Sequence, residues 1–185
     1  MSKTYFLGGL IFLVAFSGCT EGNSEPVVLT VEDVKSIGVF GEEEIVQEKI
    51  LDEPPCIKFS YSKTNAVDYD QNVVILSCLG ADMADANEAF SSFSLQDAEL
   101  SSMGACKKSE TTVGDESLII KCDVVNIDSA TIRDKENVYR IYFEPDVENL
   151  DEKIKKTYEL LHAKTTQFDV FNSFRWVLRI IRAAT

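Results

Sequence analysis

The chain has 185 residues, with 18 Lys and Arg against 31 Asp and Glu, a net charge of −13, and five cysteines. Such an acidic surface is repelled by nucleic acid and by anionic lipid headgroups, so we expect no nucleic-acid partner. The length and a hydrophobic share of 45% predict one globular domain rather than a disordered chain.

Residues 1–18 have the composition of an export signal. Lys3 precedes an apolar run from Phe6 to Phe16. As a helix this run would rise about 16 Å, about half of the ~30 Å hydrocarbon core of a bilayer. The segment therefore predicts a signal peptide rather than a permanent membrane span.

The signal ends in Phe16-Ser17-Gly18-Cys19. This tetrapeptide resembles the lipobox of bacterial lipoproteins, a family that prefers an aliphatic residue where Phe16 stands. The resemblance implies cleavage before Cys19, a diacylglyceryl group on its thiol and an acylated amino group. It also implies a cell-envelope location. In enterobacterial lipoproteins, an aspartate directly after the lipidated cysteine retains the protein in the inner membrane. Thr20 stands at that position here, so by analogy the outer membrane is favoured, with the protein facing the periplasm or the cell surface. The alternative is an ordinary signal with a chance cysteine.

We therefore predict three parts: a signal peptide at 1–18, a lipidated N-terminus and tether at 19–29, and a single α+β domain at 30–185. Residues 27–40 are ambiguous between a strand and a helix, because Thr30-x-x-Asp33 resembles a capping box. Residues 42–53 fit a helical face slightly better than strict alternation.

Four cysteines remain for the domain: Cys56, Cys78, Cys106 and Cys122. Export makes disulfides permissible, and the even number favours them. The first two cysteines are equidistant from Val67 and the last two from Gly114, so each pair would face across a hairpin. We predict Cys56–Cys78 and Cys106–Cys122, with 56–122 and 78–106 as the other pairing considered.

Zinc is the competing use of these cysteines. It usually requires short spacings such as C-x2-C, which do not occur here, and His162 is the only histidine. We therefore expect no metal and no other cofactor.

The remaining patterns predict strands and helices around the two hairpins. The predicted strands are 56–62, 72–79, 103–112, 117–126 and 137–143, and the predicted helices are 82–93, 147–164 and 168–183. Together they predict an α+β fold, in which an antiparallel sheet with two disulfide-stapled hairpins is covered on one face by the C-terminal helices.

The end of the chain offers the candidate partner-binding residues. Arg175, Arg179 and Arg182 recur at helical spacing, and no acid lies between Val170 and Thr185. A cationic amphipathic helix could dock on an acidic partner or lie on a membrane. The alternative is that its apolar side packs on the sheet while the arginines meet acids of the same domain.

The sequence contains none of the G-x-S-x-G, H-E-x-x-H or P-loop patterns, so no catalytic residue is predicted and we expect a protein that is not an enzyme. The expected function is that of a lipid-anchored cell-envelope lipoprotein with a non-catalytic binding or scaffolding role. Its expected partners are the membrane, through Cys19, and an envelope protein. The alternative is a small lipid-anchored envelope hydrolase that uses carboxylates.

Overall fold

The structure, a computed structural model, describes residues 26–41, 44–53, 56–63, 72–80, 82–102, 106–122, 127–144 and 147–183, without the side chains of 51–53, 100, 110 and 168–183. Residues Glu25–Phe168 form one compact unit. The chain from Asp169 onwards belongs to a second unit, of which only helical backbone up to Ala183 is described.

The described chain is α+β, as predicted. Its elements in chain order are α1 Val31–Ile37, β1 Ile45–Glu53, β2 Cys56–Lys63, β3 Asn72–Leu79, α2 Met83–Ser102, β4 Lys107–Glu110, β5 Glu116–Cys122, β6 Ile127–Asp134, β7 Asn137–Glu144 and α3 Leu150–Ala183. The strands form one antiparallel sheet in the order β1-β2-β3-β7-β6-β5-β4. Two meanders thus meet at the β3–β7 pair, and α2 connects β3 to the far edge strand β4.

Both predicted disulfides form. In the first hairpin Cys56 lies opposite Cys78, and Phe59 lies opposite Ile75 as the symmetry about Val67 predicts. In the second hairpin the strand register is centred on Gly114 and brings Cys106 to Cys122. The Cα atoms of each bonded pair are 4.1 Å apart.

Loss of either disulfide should destabilise the domain. With sequence separations of 22 and 16 residues, the bridges restrict the unfolded chain enough to contribute about 3 kcal/mol each. We expect Cys56→Ser/Cys78→Ser to lower the free energy of unfolding by that amount, measured by urea denaturation. An unchanged unfolding midpoint would contradict a structural role for the bridge.

The helical prediction for residues 42–53 is wrong, because β1 is the edge strand paired with β2. A bulge between Lys49 and Leu51 inserts one residue and reverses the alternation of the strand. The apolar pairs Ile45-Val46 and Ile50-Leu51 are five positions apart, a spacing that fits a bulged strand but resembles a helical face.

Three further elements differ from prediction. The helix predicted for 82–93 extends to Ser102, and one helix, α3, replaces the two predicted at the end of the chain. The expected break falls at Thr165 and Thr166. The helix continues through both, and their hydroxyls donate to the carbonyls of Leu161 and His162 one turn earlier. Strand β6 was not predicted.

Helices pack on both faces of the sheet. α1 and the described part of α3 cover one face with the core cluster that contains Tyr61, Ile75, Tyr139, Ile141, Phe143, Ile154 and Leu161. α2 covers the other with the cluster that contains Cys78, Ala86, Phe90, Leu118, Ile120, Cys122 and Val138. The C-terminal helix therefore covers one face, as predicted, and α2 adds a layer on the other.

The start of the domain is fastened to this core. The Thr30–Asp33 capping box begins α1, which favours the helical alternative for this segment. Tyr61 donates its hydroxyl hydrogen to the carbonyl of Leu29 at 2.7 Å, and Leu29 is only 1% exposed. Leu29, which the sequence assigned to the tether, therefore belongs to the folded core.

Candidate functional site

The residues singled out in the sequence fall into two groups. Cys19 lies outside the described residues, and so do the side chains of Arg175, Arg179 and Arg182. The four disulfide cysteines all lie on the α2 side of the sheet. A set of buried polar contacts that the sequence did not predict lies on the same side, between α2 and the sheet.

A buried ion pair fixes α2 to the centre of the sheet. The Arg140 guanidinium on β7 donates from Nη2 to Oδ1 of Asp97 on α2 at 2.6 Å, and both side chains are almost fully buried. Arg140 Nη1 donates to Gln96 at 2.9 Å. The rings of Phe93 and Tyr142 lie 5.0 and 5.1 Å from the guanidinium carbon.

Burial and the charge of Arg140 shift the pKa of Asp97 in opposite directions. Burial raises the pKa of Asp97, and the nearby charge of Arg140 offsets only part of that rise. The pair ties α2 to β7 at one defined point, and loss of either partner would leave the other charge buried and unpaired. Arg140 interrupts an otherwise apolar strand pattern, and that interruption is the sequence signal that could have revealed the pair.

A groove opens on one side of α2, which we call the hairpin groove. It is lined by Phe90, Ser94, Leu95, Lys108, Glu116 and Leu118 and has a volume of about 620 Å³. Leu95 is 67% exposed at its edge. The buried Ser94 hydroxyl has no hydrogen-bond partner among the described residues. Apolar and polar surface alternate here, as in sites that bind small ligands or chain segments.

A second groove, the disulfide groove, lies beside the Cys56–Cys78 bridge. Its lining includes Ala89 and Val138, with Glu88 and Ser92 on the α2 side, and its volume is about 350 Å³. The floor is apolar, and the acids come from the helix. Each groove thus has α2 as one wall and a strand near a disulfide as the other.

A separate polar cluster joins β6 to α3. His162 Nδ1 lies 2.6 Å from Oδ2 of Asp134, and the Tyr158 hydroxyl lies 3.5 Å from the same nitrogen. Because a carboxylate only accepts, Nδ1 carries the shared hydrogen and Nε2 is left as the second site of the ring. His162 is 47% exposed. Such a pair could orient an imidazole for proton transfer.

The free energy of unfolding should depend on pH through Tyr158 of this cluster. Burial, followed by the charge of Asp134, raises the pKa of Tyr158 from 10.0 to about 12. Because the unfolded chain ionises first, the free energy of unfolding should fall as pH rises from 10.0 to about 12. In Tyr158→Phe this component of the alkaline loss should disappear, and in Asp134→Asn the pKa should move towards 10.0. Tyrosinate absorbance checks both, and an ordinary pKa for Tyr158 in the wild type would contradict the geometry.

Within the described ranges, no group of three or more His, Cys, Asp or Glu side chains is arranged to hold a metal ion. None of the helices in this part of the chain combines the length and apolarity needed to cross a membrane. No protein-family model, no curated protein and no solved structure matches the chain.

Proposed function

We propose that this chain is a cell-envelope lipoprotein, anchored through acylated Cys19, that binds a partner protein without catalysis. The lipobox-like tetrapeptide ending at Cys19 supports the anchor. The Cys56–Cys78 and Cys106–Cys122 bridges support an oxidising compartment, because such bonds persist in exported proteins. The outer membrane is the proposed site.

The layer built on α2 carries the binding part of the proposal. Its helix is fixed by the Arg140–Asp97 pair and has a groove on each side. Two of its apolar side chains, Met83 and Leu95, are exposed. A rigid, pre-formed surface binds with a small entropic cost, because little has to be ordered on association.

Fatty-acid labelling in cells tests the anchor. We expect an alkyne-bearing palmitate analogue to label the wild type and the protein to fractionate with the outer membrane. Cys19→Ser should lose the label and be released as a soluble species, since no other anchor is proposed. An unlabelled wild type, or a Cys19→Ser variant that remains membrane-bound, would contradict the anchor.

A small envelope hydrolase remains the second candidate, because Asp134 and His162 are hydrogen-bonded at 2.6 Å. In that role Asp134 would orient His162 as a general base for an activated water. Turnover of a panel of chromogenic ester and glycoside substrates, lost in His162→Gln and in Asp134→Asn, would favour the hydrolase. Equal background rates in all three proteins would favour the binding role.

A further inference from the structure

We infer that the disulfide groove and the sheet face beside it form a docking site for a cationic, amphipathic segment of a partner protein. The inference deepens the proposed binding function and rests on it. Its basis is the juxtaposition of an open, partly apolar sheet face with an acidic side of α2.

The open sheet face follows from the position of α2. Seven strands span about 29 Å, whereas one helix is about 10 Å wide. α2 packs against β3 to β7, mainly on β6 and β7. On the same side, β1 and β2 carry Val46, which is 45% exposed, and the half-buried Lys58 and Ser60. Among the elements that the structure describes, α2 alone packs on this side of the sheet, which leaves room for another segment alongside it.

The strand register shows which side chains share this face. Lys58 lies opposite Leu76, and Leu76 lies opposite Arg140. One row further along, Ser60 lies opposite Val74. Because directly opposed residues point to the same side of a sheet, these side chains continue the floor of the disulfide groove. This part of the floor combines aliphatic Leu76 and Val74 with Lys58 and with Arg140, whose charge is already paired with Asp97.

The wall of the site is acidic. α2 contains no Lys or Arg from Met83 to Ser102. Of its acids, Asp97 is paired with Arg140, whereas Glu88 and Glu99 are exposed. Glu88 lines the disulfide groove, as does Ser92 one turn later. Glu99 follows eleven residues after Glu88, a spacing that brings it back close to the same helical side.

Charge decides which occupant fits. Without residues 1–18 the chain has 17 basic and 31 acidic side chains, so an anionic lipid surface and the acidic body of a second copy are both repelled. A second copy could enter the site only through its own cationic residues 170–185, and dimerisation in sedimentation would reveal that case. A segment with lysines or arginines next to Glu88 and Glu99, and an apolar side chain in the groove, meets complementary charge and apolar surface together. The partner class is therefore a protein with a cationic amphipathic segment.

Peptide binding to the mature chain carrying Cys19→Ser tests this inference. The probe is a fluorescein-labelled helical peptide with leucines on one face and lysines on the other, and the comparison peptide has the same composition in scrambled order. We expect saturable binding of the amphipathic peptide. Glu88→Lys/Glu99→Lys should weaken it about tenfold or more, because like charges then face each other.

Glu159→Lys is the matched control, because Glu159 is an exposed acid on α3, on the other face of the sheet. It should change the affinity by less than about twofold. The inference would be overturned if the α2 and α3 variants lost peptide affinity equally, or if neither lost any. Equal binding of the scrambled peptide would overturn it as well. Dimerisation that Glu88→Lys/Glu99→Lys changes, measured by sedimentation, would also overturn it. The same holds for binding to anionic phosphatidylglycerol vesicles, if the double variant changes that binding.

Failure of this inference is distinguishable from failure of the proposed function. If a photocrosslinker at Ser92 captures a partner in cells while the peptide binds without regard to Glu88 and Glu99, the partner is not recognised by positive charge. The inference then fails and the binding function stands. If no exposed position on α2 captures any partner in cells, the binding function fails as well.

Discussion

Replacing Arg140 with methionine should lower the free energy of unfolding by about 3–5 kcal/mol at neutral pH, because it leaves the Asp97 carboxylate buried without its cation. The ring contacts of the guanidinium with Phe93 and Tyr142 are lost at the same time. Urea denaturation of the wild type and Arg140→Met measures the difference.

The loss should depend on pH. In Arg140→Met the folded-state pKa of Asp97 rises further above 3.8, since burial already raises it with Arg140 present. A raised carboxyl pKa means that the folded state retains its proton longer than the unfolded state. The destabilisation should therefore be small at acidic pH and grow as pH rises from 3.8 through the raised value.

Two comparisons identify the cause. The double variant Arg140→Met/Asp97→Leu should recover much of the loss, because no unpaired charge remains buried. Lys155→Met, which removes an exposed pair with Glu159, should cost no more than about 0.5 kcal/mol. A pH-independent loss in Arg140→Met, or no recovery in the double variant, would contradict the ion-pair account.

Gly114→Ala is the second change with a large expected effect. Gly114 has φ +70°, and a Cβ atom there would lie 2.6 Å from the backbone oxygen of Arg133 and 2.8 Å from the Ile132 side chain. The left-handed conformation costs a non-glycine residue about 1–2 kcal/mol, and the overlap adds roughly 1–3 kcal/mol. We expect a total loss of about 2–5 kcal/mol in the free energy of unfolding.

Gly38→Ala separates the two contributions. Gly38 ends α1 with φ +81°. A Cβ atom added at Gly38 would meet no atom closer than Lys153 Nζ, at 3.8 Å. The substitution should therefore cost only the conformational term of about 1–2 kcal/mol. Thermal or urea unfolding of both variants provides the comparison. Equal losses would show that the contact of Gly114 with β6 has no energetic consequence.

The hairpins were predictable because their register is local. The symmetry of Cys56 and Cys78 about Val67 and of Cys106 and Cys122 about Gly114 depends only on sequence distance, and the structure has both registers. Long-range contacts were not accessible in the same way. The pairing of β3 with β7 brings together residues such as Ile75 and Ile141, whose sequence patterns do not specify each other.

The missed strand illustrates the same limit. β6 lies between β5 and β7 in the sheet, so Asp128, Thr131 and Asp134 are buried although their side chains are polar. Aspartate is depleted in strands, so Asp128 and Asp134 conceal the strand pattern. Neighbours explain two of the three buried polar residues: Thr131 contacts Asp97, and Asp134 contacts His162. The candidate sites arise from these tertiary contacts, which composition and spacing did not reveal.

We propose an envelope protein that holds a partner at the disulfide groove. Site-specific photocrosslinking in living cells tests it most directly, with the crosslinking amino acid at Ser92 in the groove or at Glu159 on the opposite layer. We predict one defined protein crosslinked from Ser92, none from Glu159, and loss of the Ser92 product in Cys19→Ser. No product from Ser92, or the same products from both positions, would contradict the claim.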